Sequence, residues 1–323
     1  MSKCSEEISK MMVIEMTTYH EHIPVMLNEC MEGLITDDNA IYIDATLGGG
    51  GHSKEILARL GENATLYGID QDDEAIAAAT ARIGEDERFK TIKGNFGYLS
   101  TLLPPPVKGQ VAGILLDLGV STHQIKEAER GFSFQEDGPL DMRMGNLSGV
   151  SAYQVVNNYD YETLRDVIFH YGEERASRQI AKEIINNRPI ETTGELAAIV
   201  KELVPAKFAV KSLARVFQGI RIEVNRELDV LKDVLTQSLE VLKPGGRIVV
   251  MSYHSLEDRI VKKFFKAGNL DGKLEKDFYG NIISPLKAVN RQIITPSPEE
   301  VAKNPAARSA KLRIAEKNSG GSQ

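Results

Sequence analysis

The chain has 323 residues, 42% hydrophobic and 26% charged, the composition of an ordinary soluble globular protein with one large or two modest domains. Its formal net charge of −7 excludes a uniformly basic nucleic-acid coat but leaves room for local basic patches. No apolar run is long enough to span a bilayer, the N-terminus has no secretory pattern, and the two cysteines, Cys4 and Cys30, have no metal-binding spacing, so the expected setting is the reducing cytoplasm.

Residues 1–19 lack periodicity, contain the possible alternative starts Met11, Met12 and Met16, and read as a mobile extension. From Ala40 strands and helices alternate, which predicts an α/β fold with a parallel sheet. The predicted order is strand Ile41–Thr46, helix near His52–Leu60, strand Thr65–Asp70, helix near Asp73–Arg82, strand Phe89–Asn95 and strand Val111–Asp117. The alternation then lapses from about Gln124 to Phe217, where helical patterns such as Tyr161–Tyr171 and Glu174–Asn187 take over. A long helix, Ile222–Leu242, is expected to stop at Lys243-Pro244-Gly245-Gly246. A fifth strand at Arg247–Tyr253 and a helix at Leu256–Lys266 follow. The expected organisation is a Rossmann-like domain built from 20–124 and 217–317, an inserted helical domain at 125–216, and a frayed tail at 318–323.

The most informative segment is Ile41-Tyr-Ile-Asp-Ala-Thr-Leu-Gly-Gly-Gly-Gly-His-Ser53, a strand ending in Asp44 and then four glycines, Gly48 to Gly51, leading into a helix. Such a turn lets a ligand approach bare backbone. Dinucleotide sites read G-x-G-x-x-G, but here Ser53 holds the third glycine position. A carboxylate just ahead of the loop is unfavourable beside a diphosphate and favourable near the cationic methionine end of S-adenosylmethionine. The segment therefore leans to a methyltransferase, with a plain strand-to-helix turn as the bland alternative.

Asp70 ends the second strand 22 residues after Gly48, where a carboxylate can accept both ribose hydroxyls of an adenosine; helix capping is the alternative, equally open to Asp72 or Asp73. Phe96 follows the third strand, in place to pack on adenine or simply to join the core. Asp117-Leu118-Gly119-Val120-Ser121 ends the fourth strand, at the edge where open α/β sheets bind ligands. Methylation of a weakly basic exocyclic amine needs acceptors that align its lone pair. Asp117 suits that role, or is a hydrogen-bonded strand-end carboxylate.

Residues Arg130–Phe134 and Pro139–Met144 mix charge with Phe and Met and read either as a binding loop or as a satellite core. After strand five, Ser255 is expected to cap the next helix with Asp258. His20-x-His22 is the only close histidine pair, and no metal site is expected. Two basic stretches, Lys211–Arg226 and Val301–Lys317, are candidate phosphate contacts or solvated faces.

Together these motifs resemble the bacterial 16S ribosomal RNA N4-cytosine methyltransferase family. The likeness runs from His22-Ile-Pro-Val-Met-Leu27 to Asn304–Arg313 and takes in the glycine loop, Asp117–Ser121, Glu129–Phe134, Gly138–Met144, Val216–Leu228 and His254–Lys262. The resemblance implies a class I methyltransferase sheet with an inserted helical domain. It implies S-adenosylmethionine as cofactor, held by Gly50, Gly51, His52, Asp70, Phe96, Asp117 and Gln124, with Asp117 also the catalytic candidate. The implied partner is 16S rRNA in the small ribosomal subunit, with no DNA, membrane or metal. Two departures stand out: Lys211-Ser-Leu-Ala214 replaces a His-Pro-Ala-Thr segment, and Ala306 follows Pro305 where an arginine is common. The competing functions are a nicotinamide oxidoreductase, resting on the loop and Asp70 alone, and a non-enzymatic ribosome-assembly factor.

Overall fold

In the computed structural model the described residues are 23–145, 149–280, 282–290 and 292–319. The expected N-terminal extension, Cys4, the His20–His22 pair and most of the tail lie outside them. The chain forms two compact units, one of residues up to Gly119 together with Asp229 onward, the other Val120–Leu228.

In chain order the first unit begins with α1 (Leu27–Leu34), β1 (Ile41–Asp44), α2 (Gly51–Arg59), β2 (Thr65–Asp70), α3 (Asp73–Ile83) and β3 (Phe89–Lys93). A 3₁₀ turn (Phe96–Tyr98), a short α4 (Leu99–Leu102) and β4 (Val111–Asp117) follow. The second unit holds α5 (Thr122–Lys126), α6 (Ala152–Asn158), α7 (Tyr161–Asp166), α8 (Ser177–Asn186), α9 (Thr193–Leu203) and α10 (Ala206–Asn225). The chain re-enters the first unit along α11 (Glu227–Val241). It continues through β5 (Leu242–Ser252), α12 (Ser255–Ala267), β6 (Glu275–Lys276), β7 (Ile282–Ile283), β8 (Leu286–Ala288), α13 (Pro298–Lys303) and β9 (Lys311–Lys317).

The main sheet has the order β3-β2-β1-β4-β5-β9-β8. Its first five strands are parallel, as the alternating pattern predicts, whereas β9 runs antiparallel to both β5 and β8. Those last strands are hard to see in the sequence because Lys311-Leu-Arg-Ile-Ala-Glu-Lys317 interleaves charge with apolar residues. Leu312 and Ile314 are buried on one face and Ala315 on the other, yet the charged residues between them make the segment read as a basic stretch.

Along β4 every residue from Val111 to Leu116 is buried, and the pleat sends alternate side chains to opposite faces. Ile114 and Leu116 join Ile43, Ile69, Ile248 and Val250 in a core closed by Leu231 and Leu235 of α11 and Phe264 of α12. Leu115 joins Tyr42, Leu66 and Val249 in the opposite core, closed by Met31 and Leu34 of α1 and Ile56 of α2. The second unit has its own core, centred on Val155, Ile168, Ile180, Leu196, Val216 and Ile220. Phe132, Leu140 and Met142 are buried in it, so these residues of the Arg130–Met144 region act as core.

Five boundaries differ from expectation. The predicted helix Ile222–Leu242 is interrupted at Arg226, which adopts a left-handed conformation with φ 50°. The apolar periodicity carries across the break, and neither glycine nor proline marks it. A bidentate pair from Arg221 to Glu227, at 2.7 and 2.9 Å, spans it. Strand five starts early: Val111 pairs with Leu242 and Gly113 with Arg247, leaving Lys243–Gly246 as a bulge inside the strand rather than a turn before it. Strands one and three stop short of the expected Thr46 and Asn95, at Asp44 and Lys93, because the following residues turn into the loops described below. Finally, His254 rather than Ser255 caps α12, in a reciprocal box with Glu257.

Candidate active site

Six of the seven residues singled out for the cofactor lie at or just after the carboxyl ends of four adjacent parallel strands, β3, β2, β1 and β4. The strand order reverses between β1 and β4, the point where open α/β sheets form a ligand crevice.

The loop after β1 is set by backbone demands. Gly50 sits at φ 72° as the N-terminal cap of α2, and a Cβ there would lie 2.9 Å from the Cα and Cβ of Ala79 on α3. A Cβ on Gly51 would meet Pro24 Cγ at 2.6 Å. Both glycines thus permit close packing of α2, a requirement independent of any ligand. Gly48 is different: a Cβ there would find nothing nearer than the Thr46 carbonyl at 4.0 Å. Its backbone is approachable.

Asp70, at the end of β2, holds this loop. Its Oδ2 accepts the Gly48 N–H at 2.9 Å, and its Oδ1 accepts the Asp72 N–H at 3.0 Å. Burial pushes its carboxyl up to about 6, only partly offset by those N–H donors. Each carboxylate oxygen keeps further lone-pair capacity for a hydroxyl donor. Capping of α3 falls to Asp72, whose side chain accepts the Glu74 N–H, so Asp70 is not the cap. Asn95 accepts the Gly97 N–H at 2.8 Å and donates to Gln71 Oε1 at 3.3 Å, joining the ends of β2 and β3. Phe96, next in sequence, is partly buried against the first core.

Asp117 is held by hydrogen bonds from the segments after both neighbouring strands, β1 and β5. Its N–H donates to Thr46 Oγ1 at 2.7 Å, the Tyr253 hydroxyl donates to Oδ1 at 2.7 Å, and His52 Nδ1 stands 3.8 Å from Oδ2. His52 Nε2 lies 3.0 Å from the Val25 carbonyl. A carbonyl only accepts, so Nε2 carries the proton, and in the neutral ring the bare Nδ1 faces Asp117. Burial, then the charge of Asp117, raise the Tyr253 hydroxyl well above its usual value, keeping it a donor. Asp44, the carboxylate ahead of the glycine loop, is buried and accepts from the Ser53 hydroxyl at 2.7 Å; burial raises its carboxyl too.

Gln124 belongs to the second unit. Its amide oxygen accepts the Ser121 N–H at 3.1 Å and its amide nitrogen donates to the Met144 carbonyl at 3.3 Å, so it caps α5 and braces the Met144 loop.

Several of these relationships are not legible in the sequence. Tyr253 and Thr46 stand inside segments that the sequence marks, but their bonds to Asp117 span 136 and 71 residues. Cys30 is buried beneath the site, its thiol 3.5 Å from Met251 Sδ; burial and the nearby Asp117 push its pKa well up. The basic stretches lose several phosphate candidates to internal partners. Arg221 pairs with Glu227, Arg313 with Asp258 at 2.7 Å, and Lys317 donates to the carbonyls of Leu239 and Leu242.

Nearly the whole described sequence is similar to known proteins. The profile of the MraW methylase family matches residues 19–318. A protein of Parabacteroides distasonis named ribosomal RNA small subunit methyltransferase H is 50% identical over 300 residues, covering 92% of this chain and 97% of its own. One of the same name from Flavobacterium johnsoniae is 50% identical over 304 residues, covering 93% and 99%. Another, from Bacteroides fragilis, is 48% identical over 306 residues, covering 94% and 99%.

Proposed function

The chain belongs to the MraW methylase family and is an S-adenosylmethionine-dependent ribosomal RNA methyltransferase, and we propose that its target is the exocyclic N4 of a decoding-centre cytosine in 16S rRNA. The observation that carries this reading is Asp117 at the end of β4, its carboxylate held by the Tyr253 hydroxyl and its backbone N–H by Thr46, next in the sheet to β1 and its glycine loop.

The residues fit the cofactor. Gly48 offers an approachable backbone, and Asp70 offers a carboxylate with lone pairs for the ribose hydroxyls. Gly50 and Gly51 keep the loop thin, and Phe96 stands where the third strand ends. When bound, S-adenosylmethionine supplies an electrophilic methyl on a positively charged sulfur. Asp117 accepts a hydrogen bond from the cytosine amino group, which turns the nitrogen lone pair toward that methyl. The amine lone pair would form the new nitrogen–carbon bond, and the bond broken would be the methyl's bond to sulfur, which would leave with the electron pair. The surplus amine proton leaves to Asp117 or to water. Tyr253 positions Asp117 throughout.

A stacked or paired cytosine cannot reach this carboxylate, so the base is splayed from the RNA at a cost of a few kcal/mol. A chain of net charge −7 gains little from unspecific attraction to RNA. The substrate is therefore shaped RNA in an assembled or nearly assembled small subunit, with the Val120–Leu228 unit contributing recognition more than cofactor binding. Transfer of labelled methyl from S-adenosylmethionine tests this: incorporation into small subunits should far exceed that into a short oligonucleotide of the same sequence. Equal rates on both would sink the proposed substrate, and calorimetric binding of NAD but not S-adenosylmethionine would sink the chemistry.

A further inference from the structure

The segment after α12 takes no part in the site above, and its surface is unusual. β6 and β7 pair antiparallel, Glu275 with Ile283 and Lys276 with Ile282. Their turn is closed by the Gly280 N–H on the Asp277 carbonyl at 3.0 Å and by the Tyr279 N–H on Asp277 Oδ1 at 2.9 Å. This bonding presents Phe278 and Tyr279 at the tip, 98% and 87% exposed, their rings edge to face at 5.8 Å. Among the described large hydrophobic side chains no others are so exposed.

Exposed lysines surround this tip in the chain. Lys262, Lys263 and Lys266 lie on the outer face of α12, and Lys273 and Lys276 lie on the hairpin. Gly272 packs against the aliphatic stem of Lys263, which ties the base of the hairpin to that helix face. From Arg259 to Lys287 the net charge is +4, in a protein whose total is −7. Aromatic faces beside a local positive field are the elements that hold unpaired RNA: bases stack on the rings and phosphates meet the lysines.

We propose that this hairpin and the lysine face of α12 form an RNA-docking surface, with unstacked bases on Phe278 and Tyr279 and phosphates on Lys262, Lys266, Lys273 and Lys276. The proposal rests on the ribosomal RNA reading above and names the surface that grips the substrate away from the reacting base. The half-exposed Ile282 and Ile283 make an anionic lipid surface the competing occupant, favoured less because the relatives are named as ribosomal RNA methyltransferases.

The test uses the full chain and a Phe278→Ala/Tyr279→Ala double variant. KM for small subunits should rise about tenfold, in line with the loss of base stacking, with kcat and S-adenosylmethionine affinity unchanged. Tyr279→Phe, which keeps the ring, should retain the wild-type KM. A Lys262→Gln/Lys266→Gln variant should lower the salt dependence of binding to bare 16S rRNA, by about 0.7 in the log–log slope for each phosphate no longer neutralised. An unchanged KM overturns the proposal, as does loss of binding to phosphatidylglycerol vesicles with RNA binding intact. If the wild-type protein methylates no small subunits, the functional reading fails instead. The docking surface then stands or falls on whether the double variant binds bare 16S rRNA more weakly.

Discussion

The Tyr253 hydroxyl donates to Asp117 Oδ1 at 2.7 Å, tying the carboxyl end of β5 to that of β4. Tyr253 stays protonated because burial and the adjacent carboxylate oppose its ionisation. It therefore fixes the rotamer of Asp117 without competing for protons.

Tyr253→Phe should lower kcat about ten- to hundredfold, the scale of one hydrogen bond to a charged group, while leaving S-adenosylmethionine affinity intact. Single-turnover methylation with calorimetry separates the two effects. A folded variant with wild-type kcat would reduce the Tyr253–Asp117 bond to a structural contact.

On the proposed ribose role of Asp70, cofactor binding should depend on pH. Its carboxyl, about 6 in the ligand-free fold, must ionise to accept ribose hydroxyls. Affinity should fall as pH drops below about 6, approaching tenfold per pH unit. Asp70→Ala should flatten that profile and weaken binding by about 2 kcal/mol at neutral pH. The raised value has the opposite sign for stability. The folded protein holds this proton more tightly than the unfolded chain, so the group's stabilisation is present below the ordinary carboxylate range near 3.8 and is lost as pH rises through about 6. Calorimetric titrations on either side of that value, in acid and at neutral pH, check the affinity; a flat wild-type profile would remove Asp70 from the ribose site.

Gly50→Ala should destabilise the protein by about 2–4 kcal/mol, combining left-handed strain with the clash against Ala79. Denaturant unfolding measures this directly. A cost below about 0.5 kcal/mol, the scale of a neutral surface change, would mean that α2 and α3 tolerate the extra methyl.

The architecture of the first unit is legible in the sequence because β1, β2 and β4 are short apolar runs bounded by Gly, Asp and Pro. These local signals survive folding. β9 is not, since its charged residues read as a solvated basic stretch, while the partners that take them up, Asp258, Arg247 and the Leu239 and Leu242 carbonyls, lie far away in sequence. The break at Arg226 is hidden for another reason. It is held by Asn225 bonds to Met142 and Met144, more than 80 residues away, and by the Arg221–Glu227 pair. In the site, Asp70 and Asp117 are readable as carboxylates at strand ends, whereas the bonds that hold Asp117 come from distant segments. Gly50 and Gly51 read as cofactor residues, and the structure adds that close helix packing alone requires them. His52 is similar: its bond to the Val25 carbonyl gives it a structural task that no local pattern reveals.

Cys30→Ala should leave methyl transfer intact, since the thiol is buried and its pKa is held well above the ordinary range. The lost packing should cost about 1 kcal/mol of stability. Methylation at carbon 5 would need a nucleophilic thiolate to attack the ring. A folded Cys30→Ala variant without activity, or a covalent RNA adduct trapped on the wild-type thiol, would contradict exocyclic transfer.

The most direct measurement is mass spectrometry of nucleosides from small ribosomal subunits treated with the protein and S-adenosylmethionine. The account predicts N4-methylcytidine as the product, absent when Asp117→Ala replaces the wild-type protein. Methyl found on carbon 5 of cytosine or on ribose alone would contradict it.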